Sequence, residues 1–251
     1  MDLQLKERVV AVTGAASGIG RATAIFLAAE GARVACLDVQ AEAARETAAE
    51  IETAGGQAAA FALDVAQPRS VAEVVAQTVE RFGGLQALVN AAGIGRFVKF
   101  EDTTMDEWNR VIGVNLTGTF LMCQAALPHL LANESSAVVN IASIAGLKGQ
   151  PYSCAYAASK GGVAIMSRGL AIEFSKQGLR VNCVCPGGVN TPILHGFNFE
   201  GLDFSLLATI RNPTNTLCEP IEVARLIAFL LSDCASYISG VTYAIDGGTL
   251  A

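Results

Sequence analysis

Charge is what this sequence has least of. Only 16% of its 251 residues are Asp, Glu, Lys or Arg, while 52% are hydrophobic; an average soluble domain is roughly 25% charged. A chain so apolar has the material for a core and is not a disordered one. Its 17 basic residues are outnumbered by 23 acidic ones and form no cluster, which argues against nucleic acid, because phosphate backbones are held by grouped Lys and Arg. The sparse charge also suggests that a second subunit covers some of the surface. The seven cysteines, at 36, 123, 154, 183, 185, 218 and 234, include no Cys-x-x-Cys pair and sit mostly in apolar stretches. Small buried hydrophobes in a reducing compartment are expected, not disulfides or metal ligands. Met1 to Arg8 carries Asp2, Lys6, Glu7 and Arg8 and lacks an apolar core, so no secretion signal is expected and a cytoplasmic location is. Internal repeats and low-complexity tracts are missing as well.

One uncharged run, Val111 to Asn133, spans 23 residues and exceeds the ~18 that raise the question of a membrane span. Asn115, Thr117, Thr119, Gln124, Pro128 and His129 interrupt it, so a buried helix of a globular domain is the better reading.

Short β-branched runs alternate with helical patterns along the whole chain. Arg8 to Val12, Arg33 to Leu37, Ala58 to Leu63, Ala87 to Asn90, Ala137 to Ile141, Arg180 to Val184 and Val241 to Ile245 read as strands. Gly18 to Glu30, Ala41 to Thr53, Pro68 to Phe82, Asp106 to Leu131, Tyr152 to Gln177 and Pro220 to Leu231 read as helices. Strands without in/out alternation, separated by helices, predict a parallel sheet covered on both faces. The expected fold is therefore α/β: a single domain over residues 1–251, a Rossmann-like doubly wound sandwich with a seven-stranded parallel sheet. Ligands in such sheets lie beyond the carboxyl ends of the strands. Asp106 to Leu131 and, in part, Tyr156 to Phe174 are apolar nearly all round, which predicts packing against copies of themselves. The segment from Val189 to Cys218 breaks the rhythm with turn clusters at Thr191-Pro192, His195-Gly196 and Asn212-Pro213 around Phe197, Phe199, Leu202, Phe204, Leu206 and Leu207. Long insertions of this kind are commonly functional lids; a satellite core cluster is the plainer alternative.

The first strand runs into Thr13-Gly14-Ala15-Ala16-Ser17-Gly18-Ile19-Gly20 and then a helix. Glycines at 14, 18 and 20 let the backbone turn tightly and approach a pyrophosphate, whose charge a helix N-terminus favours. The second strand ends at Asp38, followed by Val39 and Gln40. A carboxylate there can accept both ribose hydroxyls of an adenosine and would repel a 2′-phosphate, which favours NAD over NADP; an Asp also suits a helix N-cap. Tyr156 and Lys160 are four apart on a predicted helix and share a face. A phenol working as acid or base near neutral pH needs its pKa lowered from ~10, and a nearby ammonium can contribute.

With these motifs together the chain resembles the short-chain dehydrogenase/reductase family, over nearly its whole length. The resemblance rests on Thr13-Gly14-(three residues)-Gly18-Ile19-Gly20, on Tyr156-Ala157-Ala158-Ser159-Lys160, and on Ser143 thirteen residues before the tyrosine. It implies that Ser143, Tyr156, Lys160 and Asn115 are catalytic, the last as a structural and proton-relay asparagine. Asp64 would lie beside the adenine, with Val65 giving backbone contacts. Pro186, Gly187, Val189 and Thr191 would hold the nicotinamide, and Gly14, Ser17, Gly18, Ile19, Gly20, Asp38, Asn90, Ala91 and Gly93 complete the implied cofactor set with Tyr156 and Lys160. Asn90-Ala91-Ala92-Gly93 departs from the family pattern, in which a second asparagine stands where Ala91 does; the change puts support of the strand in question.

The implied activity is hydride transfer between NAD and a secondary alcohol or its ketone. Phe and Leu in the lid favour an apolar or cyclic substrate, such as a hydroxysteroid or alicyclic alcohol. Reduction of a 3-oxoacyl thioester is the alternative; its relatives commonly use basic entrance residues, and Ile193 to Ile210 contains no Lys or Arg. A non-catalytic dinucleotide sensor is a further alternative. The expected partners are a small-molecule alcohol or ketone and further copies of the chain, as a tetramer or dimer, with no membrane. Lys148, Gln150, Tyr152 and Cys154, between Ser143 and Tyr156, are candidates for the substrate pocket or for solvent-facing loop; His195 is a candidate lid contact. His129 reads as a packing or capping residue and Trp108 as an anchor for its helix.

Overall fold

The computed structural model describes residues 2–195 and 200–251. Seven strands, β1 (Val9–Thr13), β2 (Arg33–Asp38), β3 (Gln57–Ala62), β4 (Ala87–Asn90), β5 (Ser136–Ile141), β6 (Leu179–Pro186) and β7 (Thr242–Ile245), form one sheet in the order β3-β2-β1-β4-β5-β6-β7. All six pairings are parallel, as the continuous apolar runs require. Between the strands lie α1 (Gly18–Ala29), α2 (Ala41–Thr53), α3 (Pro68–Phe82), α4 (Met105–Ile112), α5 (Gly118–Leu131), α6 (Cys154–Glu173), α7 (Pro192–His195), α8 (Phe204–Leu207) and α9 (Pro220–Leu231).

Alternate residues of each strand serve the two faces of the sheet. Val10 and Val12 pack with Ala24 and Leu27 of α1 and Ile227 and Leu231 of α9. Val9 and Ala11 pack with Val71 and Val75 of α3 and Met122 and Leu130 of α5. Local chemistry sets the helix ends. Proline opens α3, where no amide donor is needed, and Gly83 closes it with φ of 82°, a conformation that suits glycine. Glu219 and Glu222 form a capping box at the start of α9.

Two expected helices differ from the sequence reading. The Asp106 to Leu131 run contains a widened π turn, Gly113–Thr117, between α4 and α5. The segment from Tyr152 to Gln177 becomes helical only at Cys154, because Tyr152 has φ of 61°, and after Glu173 continues as a separate 3-10 turn, Ser175–Gln177. Met105 to Leu131 taken together is long and apolar enough to cross a membrane, yet Met122, Cys123, Ala126 and Leu130 are buried against the sheet. Four of the seven cysteines, Cys36, Cys123, Cys183 and Cys185, are buried; Cys154 and Cys234 are exposed and Cys218 is intermediate. The side chain of His195, with Gly196, Phe197 and Phe199, lies outside the described residues.

Candidate active site

Strand order reverses direction at β1, whose neighbours are β2 and β4, and the loops that leave β1 and β4 diverge there. Such a switch point opens a crevice at the carboxyl edge of the sheet. A cavity of about 1070 Å³ fills it, just above the ~300–1,000 Å³ typical of ligand pockets.

The floor is the turn between β1 and α1. A Cβ on Gly20 would stand 2.1 Å from the Gly14 carbonyl oxygen, and one on Gly14 would stand 2.9 Å from the Ala92 amide. Glycine is thus required for α1 to begin so close to the sheet. Ser17 precedes the helix without capping it by a side-chain hydrogen bond, so the positive N-terminal end of α1 faces the cavity, as binding a pyrophosphate needs. Thr13 Oγ1 accepts from the amides of Ala91 and Ala92, at 3.1 and 3.0 Å. A threonine on β1 therefore supports the loop after β4, where the family pattern has an asparagine and this chain has Ala91.

Asp38 stands at the end of β2, on the cavity wall. One of its oxygens accepts from the Ala16 amide at 3.0 Å and the other from the Gln40 amide at 2.9 Å. Each keeps further acceptor capacity for a hydroxyl. The helix N-cap is Gln40, not Asp38. Asp64 also lines the cavity, its carboxylate closing a turn with the Ala66 amide at 2.9 Å.

Ser143, Tyr156 and Lys160 meet on the cavity wall. Ser143 follows β5 by two residues, in extended backbone, and its hydroxyl caps a short turn by accepting from Ala145. It also hydrogen-bonds the Tyr156 hydroxyl. Lys160 Nζ lies 5.8 Å from the centre of the Tyr156 ring and donates to the Ile141 carbonyl at 2.8 Å. Burial pushes Lys160 down to about 8, with the Cys183 and Cys185 thiols beneath it opposing the shift. Burial also raises the Tyr156 phenol, against the hydrogen bond from Ser143. This reverses the expected direction: among the protein's own groups, desolvation dominates the phenol.

Every catalytic or cofactor-binding residue proposed from the sequence lines this cavity except Asn90 and Asn115. Asn90 turns into the sheet, where it donates to Asn140 at 2.8 Å and to Cys123 Sγ at 3.4 Å. Asn115, in the π turn, is fully buried. It accepts from Ile94 N, and donates to Ile94 O, both at 2.9 Å, and donates to Ser159 Oγ at 3.0 Å. It therefore clamps the loop after β4 to α6. A Cβ on Gly93 would lie 3.4 Å from both Asn115 Oδ1 and Lys160 Nζ, so the clamp adjoins the ammonium. Of the four loop candidates only Gln150 lines the main cavity; Tyr152 and Cys154 line a small separate cleft, and Lys148 lines neither. Tyr152 instead ties loops together: its carbonyl accepts from Val98 at 2.6 Å and its hydroxyl from Asp203 N at 3.2 Å.

Sequence reasoning missed Ile94, Phe97, Arg110 and Arg211, all on the cavity wall. Arg211 lies one residue past the stretch judged free of basic groups. Arg110 is four residues before Val114, also a lining residue, and that helical spacing was a signal available in the sequence.

A family model described as "Enoyl-(Acyl carrier protein) reductase" matches residues 14–249. The chain belongs to the short-chain dehydrogenase/reductase family. A cis-4-hydroxycyclohexanecarboxylate dehydrogenase from Sinomonas cyclohexanicum is 43% identical over 248 residues, with 98% of this chain and 97% of that protein covered. A 2,5-dichloro-2,5-cyclohexadiene-1,4-diol dehydrogenase from Sphingobium indicum is 40% identical, with 99% and 98% covered. A crystal structure of a dehydrogenase/reductase from Sinorhizobium meliloti 1021 superimposes with a TM-score of 0.91 at 34% identity, covering 100% of this chain and 98% of that one. This short-chain dehydrogenase/reductase is an oxidoreductase that acts on small-molecule alcohols with a nicotinamide dinucleotide. The cradle described above fits that cofactor: a glycine turn without room for a Cβ, an uncapped helix N-terminus, and a carboxylate at the end of β2.

Proposed function

We propose that this protein is an NAD-dependent dehydrogenase, and in reverse a ketoreductase, of apolar alicyclic secondary alcohols. One observation carries the reading. A single cavity joins the glycine turn and Asp38 to Ser143, Tyr156 and Lys160, and continues between apolar walls that include Ile193, Phe204 and Leu207. A carboxylate at Asp38 disfavours the 2′-phosphate of NADP.

The nicotinamide ring supplies the two-electron hydride acceptor or donor when bound. Tyr156, as phenolate, takes the proton of the substrate hydroxyl at its Oη. Ser143 donates a hydrogen bond to the same substrate oxygen and steadies the charge that develops there. Lys160 would hold the nicotinamide ribose hydroxyls. An ammonium beside the phenolate opposes the rise that burial causes. Pro186, Gly187, Val189 and Thr191 would hold the carboxamide end, and Asn115 keeps the loop beside Lys160 in place and would support a water path from the ammonium to solvent. The segment from 189 to 218 would act as the lid.

Ile165 and Ile172 on α6, at 66% and 78% exposed, and Met105 and Phe120 on the run before it, leave an apolar surface that a second and further copies would cover. A homotetramer in the cytoplasm fits that surface.

The test is Tyr156→Phe with a panel of alcohols and ketones in NAD and NADP. Turnover should fall at least ~1,000-fold, as expected on losing the essential acid/base, while NADH titrates the variant with a similar dissociation constant. Retention of most activity overturns the reading.

A further inference from the structure

The cavity wall carries two arginines, Arg110 and Arg211, that the reaction does not use. Arg211 follows the short turn Ala208–Ile210 and lines the same space as Ser143 and Tyr156. Most other arginines are committed. Arg8, Arg21, Arg33, Arg45 and Arg69 pair with carboxylates, and Arg180 is buried on the carbonyls of Leu230 and Ser232. Among the described residues the Arg211 side chain has no ion pair and no hydrogen bond. The acids that line the cavity are Asp38 and Asp64. Asp203 accepts from the Ser205 amide and Asp246 from the amides of Gly248 and Leu250.

The loop that follows is preset. Asn212 donates to the Thr216 carbonyl at 2.5 Å and accepts from the Thr214 hydroxyl at 2.9 Å. Asn215 is held at φ of 53°; it lines the cavity, and its amide makes no side-chain hydrogen bond among the described residues. Arg211 and Asn215 border one space, and a guanidinium with a primary amide is a donor set for a carboxylate. The neighbouring walls, Phe204, Leu207 and Ile210, are apolar, so the anion must be carried on an apolar body.

We propose that Arg211, with Asn215, is the specificity-determining anion contact of this enzyme, and that its preferred substrate is an alicyclic alcohol bearing a carboxylate remote from the carbinol carbon. The proposal rests on the alicyclic reading above and adds the charge. A carboxyl or phosphate group on an acyl thioester offers the same chemistry, so the experiment separates the two sources.

The protein and its Arg211→Gln and Arg211→Lys variants are assayed with NAD on three probes: 4-hydroxycyclohexanecarboxylate, its methyl ester, and a 3-hydroxyacyl-CoA. The quantity read is the ratio of kcat/KM for acid over ester, in which a general loss of activity cancels. The unmodified protein should prefer the acid by roughly 10- to 100-fold, the range of a hydrogen bond to a charged group. Arg211→Gln should abolish the preference through KM, and Arg211→Lys should restore part of it. An unchanged ratio in Arg211→Gln overturns the proposal. So does an equal loss on acid and ester with weakened NADH binding, which would assign Arg211 to the dinucleotide. A preference confined to the thioester refutes the alicyclic acid. If the unmodified protein binds NADH but turns over neither acid nor ester, the function it rests on falls too.

Discussion

Replacing Lys160 by Met should separate stability from activity. The ammonium is only 5% exposed and is pushed from an ordinary 10.5 down to about 8 by burial. A tenfold change in acidity is worth ~1.4 kcal/mol, so keeping the charged form in the fold costs about 3 kcal/mol at neutral pH. Met is unbranched, of similar length and uncharged, so it removes that cost. It also removes the hydrogen bond to the Ile141 carbonyl, and a buried acceptor left unpaired costs ~1–3 kcal/mol. The net change at pH 7 should thus lie between about zero and 2 kcal/mol of added stability, a rise in Tm of up to about 8 °C for a chain of this size. The dependence on pH is the sharper signal. Lys160 titrates lower in the folded state than in the unfolded one, so between about pH 8 and 10.5 the unfolded chain binds more protons and stability rises with pH. The penalty is complete below that window and gone above it. Lys160→Met should lack this rise, so urea unfolding of both proteins from pH 7 to 10.5, without cofactor, should show their difference shrinking by about 3 kcal/mol. Parallel curves would refute the claim that the buried ammonium is strained. Turnover should be lost in the variant at every pH.

Two further outcomes test the cofactor site. Asp38→Asn removes the carboxylate charge while keeping an acceptor for one of the amides it now serves, so the ratio of kcat/KM for NAD over NADP should fall by roughly 10- to 100-fold, the effect of one charge near a phosphate at partial exposure; an unchanged ratio would show that Asp38 does not select the cofactor. Gly20→Ala places a Cβ 2.1 Å from the Gly14 carbonyl. The turn must move, so fluorescence titration should show NADH affinity falling at least ~100-fold, while overpacking lowers stability by only ~1–3 kcal/mol. Normal NADH affinity would mean that the turn does not hold the pyrophosphate.

The order of elements, the parallel sheet and the spacing of Gly14, Gly18, Gly20, Tyr156 and Lys160 were all determined by the sequence, because hydrophobic period and glycine turns are local signals. Ser143 follows a strand and Asp38 ends one, and both could be placed by the same logic. Asn115 and Asn90 could be picked out but not placed: one clamps Ile94 and Ser159 and the other faces Asn140 across the sheet, partners that only strand register and a π turn bring near. The direction of the Tyr156 shift belongs to the tertiary structure as well, since a spacing of four residues brings an ammonium close but says nothing about how much water surrounds the phenol. Arg211 shows the same division. Its charge is plain in the chain, and its place on the cavity wall exists only after residues 204–217 fold.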